Sequence, residues 1–283
     1  MIRPFFSVII PTLNEEKYLP TILKSLAKQT FCDFELVLVD ASSDDNTLGI
    51  FYEFKKYFPQ CQILISKKRN VGYQRNLGAK QAKGKYLVFF DADVDIPFTF
   101  LEEIHLAAIK QDFPFATTWI QSDSENQVDL LLVLLANLGT ELIKGINKPF
   151  AGGYNTIIKP EIFAKLHGFA ENLHIGEDHD LSLRAYRKKI ELTILKEPKL
   201  TMSLRRLRKE GKLKALSKYA QSQLHTILKG PMTEALFDYP MGGHVHSIRK
   251  SKKRRVKFKL LDKYLVDLEK MESKIANYLS ENI

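Results

Sequence analysis

The stretch KYLVFFDADVDIP, residues 85–97, carries the strongest structural signal in this chain. Five apolar residues, 86–90, run directly into three aspartates at alternate positions, Asp91, Asp93 and Asp95. A continuous apolar run of this length, rich in aromatic residues, predicts a strand that is buried on both faces. Because carboxylates at alternate positions repel one another, the end of this strand requires a positively charged partner for them.

Apolar runs and helical patterns alternate along the first half of the chain. Strands are predicted at FFSVII, FELVLVD, QILISK and KYLVFF, and amphipathic helices at EEKYLPTILKSLAKQ, TLGIFYEFKKYF and YQRNLGAKQAKG, the last of which ends at Gly84. This order predicts an α/β fold with a mainly parallel sheet and helices on both faces. Right-handed crossovers then bring the carboxyl ends of the strands to one edge, where ligands bind in such sheets.

The second half of the chain is less regular. PFAGGYNTIIKPEIF contains a Gly-Gly turn and a short strand, and ELTILK is a further strand. From Arg205 onward the chain is basic and mostly helical, with apolar residues at helical spacing between 256 and 279. We therefore expect a catalytic domain over residues 1–200 and a basic, mostly helical C-terminal extension over 201–283.

Net charge is +10, from 43 basic and 33 acidic residues, and much of it is local. RRLRKEGKLK (205–214) holds six basic residues against one acid, and RKSKKRRVK (249–257) holds seven and none. Such runs predict anionic partners: phosphates, lipid headgroups or nucleic acid. Cys32 and Cys61 form no CxxC pair, and the most apolar later run, VDLLLVLLANLG, is far shorter than the ~20 residues of a membrane span. A cytoplasmic location is expected.

Asp91 and Asp93 suit a partial metal site. Mg²⁺ and Mn²⁺ prefer oxygen ligands and commonly take one or two protein carboxylates, with substrate phosphates completing the shell. The alternative is that these acids cap the next helix, because aspartate favours N-caps. Asp95, two residues before Pro97, suits the cap better and is assigned to it.

A nucleotide in this protein would be held by side chains and metal, because neither glycine-rich phosphate motif follows the first strand. Asp40, which ends FELVLVD, is placed to accept an N–H from a base. It could equally be an Asx-turn residue. Asn14 and Glu15, after the first strand, could reach a ribose.

Residues 176–180, GEDHD, group three acids around His179. Asp180 is predicted to cap the helix LSLRAYRKK, which leaves Glu177 and Asp178 just before its positive end. One of these two could be a general base. They could also be ordinary first-turn acids that complement the helix dipole.

Four stretches follow one another along the chain: SVIIPTLNEEKYLPTILKSL, FELVLVDASSDDNT, RNVGYQRNLGAKQAKGKYLVFFDADV and GEDHDLSLRAYRKK. Together they resemble the family 2 glycosyltransferases, nucleotide-sugar enzymes of the glycosyltransferase A-type fold. The resemblance covers about residues 5–195. It implies that the chain transfers a sugar from a nucleotide-diphosphate donor to a carbohydrate or lipid-linked acceptor, with inversion and with Mg²⁺ or Mn²⁺.

The resemblance also implies roles for residues on the donor side. Asp40 matches the acid that meets the base, and Asp91 and Asp93 match the D-x-D metal motif, with Asp91 also beside the nucleotide. The remaining implied nucleotide contacts are Pro11, Thr12, Asn14, Glu15 and Arg75. Relatives often add a histidine from the C-terminal part to the metal, and the candidates are His244 and His246, which could also be plain surface histidines.

On the acceptor side, Asp178 matches the acid proposed as catalytic base, and Glu177 matches a neighbour that contacts the acceptor. Gly152 and Gly153 match a turn beside the acceptor. Two departures from the family pattern are present. The spacing from the glycine of NVGYQRN to Arg75 is shorter, and HGF replaces Gly-Gly-Phe before the acidic motif.

The basic run 249–257 beside the amphipathic pattern predicts peripheral contact with an anionic membrane, at its inner face. The alternative is that the apolar stripe packs on the catalytic domain and the charges are solvated.

Two other functions compete. A haloacid-dehalogenase-type phosphohydrolase also has D-x-D after an apolar strand, but there the motif normally follows the first core strand, and here three strands precede it. A non-enzymatic nucleic-acid binder would use the basic runs but would leave the acidic edge unexplained, so no nucleic acid is expected.

Overall fold

The computed structural model describes residues 3–145, 149–173 and 176–210. Its strands are β1 (Phe6–Thr12), β2 (Phe34–Asp40), β3 (Cys61–Ile65), β4 (Tyr86–Phe90), β5 (Val94–Asp95), β6 (Phe115–Ser122), β7 (Asn155–Ile158) and β8 (Leu192–Met202). Its α-helices are α1 (Leu19–Ala27), α2 (Thr47–Phe54), α3 (Val71–Gln81), α4 (Phe100–Gln111), α5 (Gln127–Gly145), α6 (Pro160–Lys165), α7 (Glu177–Arg187) and α8 (Arg205–Glu210), and a 3₁₀ turn (Lys55–Tyr57) follows α2.

The strands form one sheet in the order β3-β2-β1-β4-β7-β6-β8-β5. The first four are parallel to one another. β7 is antiparallel to β4 and to β6, β8 is parallel to β6, and β5 is antiparallel to β8. The expected α/β fold with a mainly parallel sheet is therefore confirmed.

The sheet has a hydrophobic core on each face. Phe6, Val8 and Ile10 of β1 belong to one cluster of buried side chains, and Ile9 belongs to the other. Successive side chains of a strand point to opposite faces, so a strand in the middle of a covered sheet contributes to both cores. All five residues of β4 are buried, as the apolar run predicted.

Three local predictions need correction. α1 begins at Leu19 rather than near Glu15, because Pro20 suits the first turn of a helix. α3 ends at Gln81, before Gly84. Asp95 does not cap a helix: it pairs with Thr201 as part of β5 and accepts a hydrogen bond from Ser25 Oγ, and Thr99 is the N-cap residue of α4.

The register of the strands brings the predicted site residues to one edge. Thr12 and Asp40 are partners at the carboxyl ends of β1 and β2. Asp91 follows β4, whose last residue, Phe90, lies opposite Asn155. Because β7 is antiparallel to β4, the turn that contains Gly152 and Gly153 lies beside Asp91's end of the sheet.

β8 runs through residue 200 and α8 follows it directly. The division into residues 1–200 and 201–283 stays a prediction, since 211–283 lie outside the described residues. Within the described ranges, no helix has both the length and the hydropathy that crossing a bilayer requires.

Candidate functional site

Each aspartate of the D-x-D pair is held by an arginine. Arg75 Nη2 donates to Asp91 Oδ1 at 2.7 Å, and Arg205 Nε lies 2.9 Å from Asp93 Oδ2. Asp91 is 37% exposed and Asp93 is 20% exposed. The two guanidinium groups offset the repulsion between the neighbouring carboxylates. In this structure, the positive charge that the end of β4 requires therefore comes from arginine side chains.

The same pair fits a divalent cation. Two carboxylates at a strand end, one of them well exposed, are the protein contribution that Mg²⁺ or Mn²⁺ commonly takes when phosphates complete its shell. In residues 3–145, 149–173 and 176–210, no three or more His, Cys, Asp or Glu side chains form a group that could hold a metal ion. His244 and His246 lie outside the described residues, so their proposed ligation stays a prediction.

Arg75 also reaches the acidic motif that begins α7. Its Nη1 donates to Glu177 Oε1 at 2.7 Å, and the side chain is only 3% exposed. One buried guanidinium therefore joins Asp91, at the end of β4, to Glu177, at the start of α7. The sequence predicted Arg75 as a nucleotide contact, and it gave no sign of this second carboxylate.

α7 begins at Glu177, and its N-cap residue is Gly176. Gly176 has a φ of 83°, a left-handed conformation that glycine adopts without strain. The expectation that Asp180 caps this helix is wrong, because Asp180 lies in its first turn and accepts a 2.7 Å hydrogen bond from Arg184 Nε. Glu177 and Asp178 are therefore helical residues, which fixes their directions relative to each other.

Asp178 is oriented by backbone donors. Gly153 N donates to Asp178 Oδ2 at 3.0 Å, and His179 N donates to Oδ1 at 2.7 Å. The neighbouring Gly152 O accepts from Asn155 N at 2.9 Å, which closes the turn. The structure thus brings the predicted base and the predicted acceptor turn into direct contact.

Burial raises the pKa of both acids. It raises the pKa of Glu177 to about 7, the negative charge of Asp178 adds to the increase, and Arg75 acts against it. Burial also raises the pKa of Asp178, while the Gly153 N–H and Arg75 oppose the shift. Carboxyl groups with raised pKa values beside other charged side chains are suited to proton transfer.

The loops after β1 and β2 are tied together through Asp40, which is fully buried. Its Oδ1 accepts from Thr12 Oγ1 at 2.9 Å and from Ser43 Oγ at 2.6 Å, and Ser43 N donates to its Oδ2 at 2.8 Å. These contacts match the turn-forming role considered for Asp40. Its contact with a base stays a prediction.

The other predicted nucleotide residues lie in the same loops. Pro11 is buried in β1 opposite Val39. Asn14 has a φ of 55°, and its Oδ1 accepts from Asp44 N at 2.7 Å. The structure therefore groups Pro11, Thr12 and Asn14 with Asp40 at the carboxyl ends of β1 and β2.

Glu15 has a partner from the far end of the described chain. Arg205 Nη1 and Nη2 each lie 3.2 Å from a Glu15 carboxylate oxygen, and the guanidinium stacks 3.9 Å above the ring centroid of Tyr18. Burial raises the pKa of Glu15 to about 7, although Arg205 lowers it. Sequence reasoning missed Arg205 as a site residue.

The basic segment 205–214 was interpreted as a surface for external anions. In its described part, Arg205 and Arg208 pair with acids of this chain: Arg205 with Glu15 and Asp93, and Arg208 with Asp123. The basic run indicated only that this segment is positively charged. The sequence does not tell which distant acids its arginines pair with. At these two positions the charge neutralises acids of the protein itself.

The sequence is similar to known proteins over the part of the chain that contains Asp40, Arg75, Asp91 and Asp93. The family model described as glycosyl transferase family 2 matches residues 7–166. Poly(ribitol-phosphate) beta-N-acetylglucosaminyltransferase TarS of Staphylococcus aureus (strain Mu50) is 43% identical over 91 residues, which are 31% of this chain and 16% of the relative. The matched segment is thus a small part of that protein.

The fold is also found in solved structures, including two with bound ligands. Residues 1–349 of S. aureus TarS in complex with UDP-GlcNAc superpose with a TM-score of 0.59 at 24% identity, over 70% of this chain and 58% of that one. The Pyrobaculum calidifontis mannosyltransferase PcManGT in complex with GDP-Man and Mn²⁺ gives 0.58 at 18% identity, over 78% and 65%. These likenesses concern the course of the backbone.

Proposed function

The chain belongs to glycosyl transferase family 2, and we propose that it transfers a sugar from a nucleoside-diphosphate donor to an acceptor hydroxyl, with inversion at the anomeric carbon. One observation carries the proposal: two acidic pairs, Asp91 with Asp93 and Glu177 with Asp178, meet at one edge of the sheet through Arg75. The first pair would face the diphosphate and the second the acceptor. Neighbours in fold that contain UDP-GlcNAc and GDP-Man support a nucleotide-sugar donor.

The donor's nucleoside would lie over the ends of β1 and β2. Asp40 would accept a ring N–H of uracil, thymine or guanine, and Thr12 and Ser43, which bind it, would hold its carboxylate in place. Family resemblance adds Pro11, Asn14 and Glu15 as nucleotide contacts. The close packing of these loops against each other supports a preformed nucleoside site.

Metal dependence is part of the proposal. A Mg²⁺ or Mn²⁺ ion held by Asp91, Asp93 and diphosphate oxygens would stabilise the charge that develops on the leaving group. Mn²⁺ in the mannosyltransferase neighbour supports this assignment. Asp93 would then share its carboxylate between the cation and Arg205.

In the proposed reaction, the acceptor oxygen bonds to the anomeric carbon as the bond from that carbon to the diphosphate oxygen breaks. The proton of the acceptor hydroxyl passes to Asp178, and the nucleoside diphosphate leaves. A single displacement of this kind inverts the configuration. The raised pKa of Asp178 makes its carboxylate a stronger proton acceptor, and Gly153 N–H holds it in position. Glu177, Gly152 and Gly153 would contact the acceptor.

Family membership does not favour the phosphohydrolase or the nucleic-acid binder. We propose a carbohydrate or lipid-linked acceptor. Contact of the 249–283 segment with an anionic membrane stays a prediction, because that segment lies outside the described residues.

Calorimetric titration tests the donor and metal assignments together. UDP, GDP and dTDP are titrated into the wild type and into Asp93→Ala, each with and without Mn²⁺. We expect at least one nucleotide to bind the wild type in a Mn²⁺-dependent way and Asp93→Ala to lose that dependence. Asp33→Ala is the matched control, since Asp33 is exposed just before the amino end of β2. Equal binding by all three proteins, with and without Mn²⁺, would contradict the proposal.

A further inference from the structure

Arg75 is the most enclosed basic side chain of the candidate site. It lies on α3 with 3% of its side chain exposed, and both terminal nitrogens are engaged at 2.7 Å, Nη2 by Asp91 and Nη1 by Glu177. These two carboxylates come from different elements, the end of β4 and the start of α7. A planar guanidinium with donors on a rigid fork can hold two such groups at a fixed separation.

The surroundings of Arg75 are shaped to its guanidinium. Its central carbon lies 5.2 Å from the ring centroid of Phe169, so one face of the group rests on an aromatic surface. Gly153 also packs against the guanidinium, because any Cβ at this position would collide with Nη1. Gly153 is the same residue whose N–H orients Asp178, so the acceptor turn and the guanidinium pack as one unit.

We propose that Arg75 is a positioning residue: it fixes the donor-side acid Asp91 relative to the acceptor-side acids Glu177 and Asp178, and it does not bind the nucleotide. This inference rests on the proposed function, in which those acids serve the two substrates. Reaction at the anomeric carbon needs the two substrates aligned, and displacement of one group by about 1 Å can cost ~100-fold in rate. Arg75 would set this alignment through the two carboxylates that it holds, Asp91 and Glu177.

Electrostatics support the role. Asp91, Glu177 and Asp178 all act on Arg75 as neighbouring negative charges, and together they raise the pKa of its guanidinium against the effect of burial. Without that cation the three carboxylates repel one another across the edge where the substrates would meet. Arg75 Nε has no acceptor among the described residues, so donation from Nε to the nucleotide is the competing role that an experiment has to separate.

The test compares Arg75→Gln, Arg75→Lys and the wild type in two measurements. The first is the Kd of UDP and GDP with Mn²⁺ by calorimetry. The second is kcat and KM for Mn²⁺-supported hydrolysis of UDP-GlcNAc or GDP-mannose, whichever the wild type cleaves, with water in place of the acceptor. We expect Arg75→Gln to lower kcat by about 100-fold with little change in Kd. Arg75→Lys, which keeps the charge but lacks the fork, should have an intermediate kcat.

Arg184→Gln is the matched control for a merely structural arginine. Arg184 lies on α7, pairs with Asp180 at 2.7 Å and donates to the carbonyls of Leu166 and Gly168, so its loss should lower the unfolding temperature. The kcat of Arg184→Gln should stay close to the wild-type kcat. An Arg75→Gln protein that matches Arg184→Gln in kcat overturns the proposal.

Gly153→Ala gives a second route to the same question if Arg75→Gln folds poorly. Its Cβ would push the guanidinium away from Glu177, so kcat should fall while Kd is retained. If the glycine acts through Arg75, the double variant Gly153→Ala/Arg75→Gln should be no slower than the slower single variant. If the fold-losses of kcat in the two single variants multiply in the double variant, Gly153 does not act through Arg75.

A loss of UDP or GDP affinity that parallels the loss of kcat/KM overturns the positioning role and makes Arg75 a nucleotide ligand. That result leaves the proposed function intact. A wild type that binds no nucleoside diphosphate and cleaves neither sugar nucleotide overturns the proposed function, and this inference with it.

Discussion

Arg75 and Arg205 each hold one aspartate of the D-x-D pair, but they are anchored in different parts of the molecule. Arg75 lies on α3, which packs against β1 and β2. Its partners are Asp91, which follows β4, and Glu177, which begins α7. Arg205 begins α8, after the last strand of the described residues, and reaches Glu15, Asp93 and Tyr18. Both are arginine–carboxylate clusters around one strand end. Arg75 joins the two halves of the proposed reaction centre, and Arg205 joins a late segment to the proposed nucleotide loop.

The comparison teaches that equal pairing chemistry does not imply an equal role. In the Arg75 cluster, a glycine and an aromatic ring fit around the guanidinium, and the acid proposed as base is next in sequence to its partner. In the Arg205 cluster, the guanidinium lies 3.2 Å from a Glu15 carboxylate oxygen and 2.9 Å from an Asp93 carboxylate oxygen, and it stacks on Tyr18. We therefore expect changes near Arg75 to act mainly on rate and changes near Arg205 to act mainly on stability.

The largest effect is expected at Asp178, beside the Arg75 cluster. Asp178→Asn keeps the shape of the side chain and removes its basicity, so kcat for transfer or donor hydrolysis should fall by ~10²–10⁴-fold. UDP or GDP affinity, measured by calorimetry, should be retained. Glu177→Gln should instead act mainly on acceptor KM, as lost ground-state binding does. Normal kcat in Asp178→Asn with collapse in Glu177→Gln reverses the assignment.

Asp40 offers a third acid for comparison, held by hydroxyls and a backbone N–H. If it also accepts an N–H from the base, Asp40→Ala should weaken nucleotide binding by about 1.5–3 kcal/mol, as for a hydrogen bond to a charged group. A sugar phosphate without a base should bind as before. Ser43→Ala removes one donor to Asp40, the Ser43 hydroxyl, and keeps the Ser43 N–H and the Asp40 carboxylate, so it is the control for the shape of the turn. Equal loss for both ligands would mean that Asp40 only shapes the loop.

Arg205→Gln sharpens the stability side of the comparison. It leaves the buried Glu15 and the largely buried Asp93 without their cation, so the free energy of unfolding should fall by about 1–3 kcal/mol. Arg69→Gln is the control, because Arg69 and Asp44 form an exposed pair worth about 0–1 kcal/mol. Urea unfolding measures both. An Arg205→Gln protein as stable as Arg69→Gln would show that the Arg205 cluster does not stabilise the fold.

A further expected effect concerns pH. Burial raises the pKa of Glu15 from 4.5 to about 7, so the folded protein holds this proton more tightly than the unfolded chain does. Stability from this group is present at low pH and declines as pH rises from 4.5 to about 7, with a slope of at most ~1.4 kcal/mol per pH unit. Glu15→Gln should flatten that decline in urea unfolding. An unchanged slope would assign the decline to other groups, Glu177 first.

Sequence patterns predicted the sheet well because its central strands are buried on both faces. The run 86–90 needed no tertiary information to be identified as a strand. Helix ends were harder to predict. α7 uses a left-handed glycine at its N-cap, where the sequence offered Asp180 as a better side-chain cap, and α1 starts late because Pro20 sets its first turn.

The site was predictable in its acids but not in its cations. Asp91, Asp93, Glu177 and Asp178 follow strand ends or begin a helix, so topology alone brings them to one edge. Their arginine partners depend on distances across the fold: Arg205 lies 190 residues from Glu15. Patterns of charge along the chain suggest that a segment is basic, and they do not tell which acid it meets.

The late position of Arg205 also sets the order in which the site can form during synthesis. Glu15, Asp91 and Asp93 leave the ribosome long before the arginine that neutralises two of them, and β8 arrives after both of its sheet neighbours, β6 and β5. Contacts between residues so distant in sequence close slowly, because the entropy of a long loop is lost before the contact forms. A nascent chain of this protein therefore carries Glu15 and Asp93 without their cation, and a sheet without β8, until the segment that ends with Arg205 has emerged.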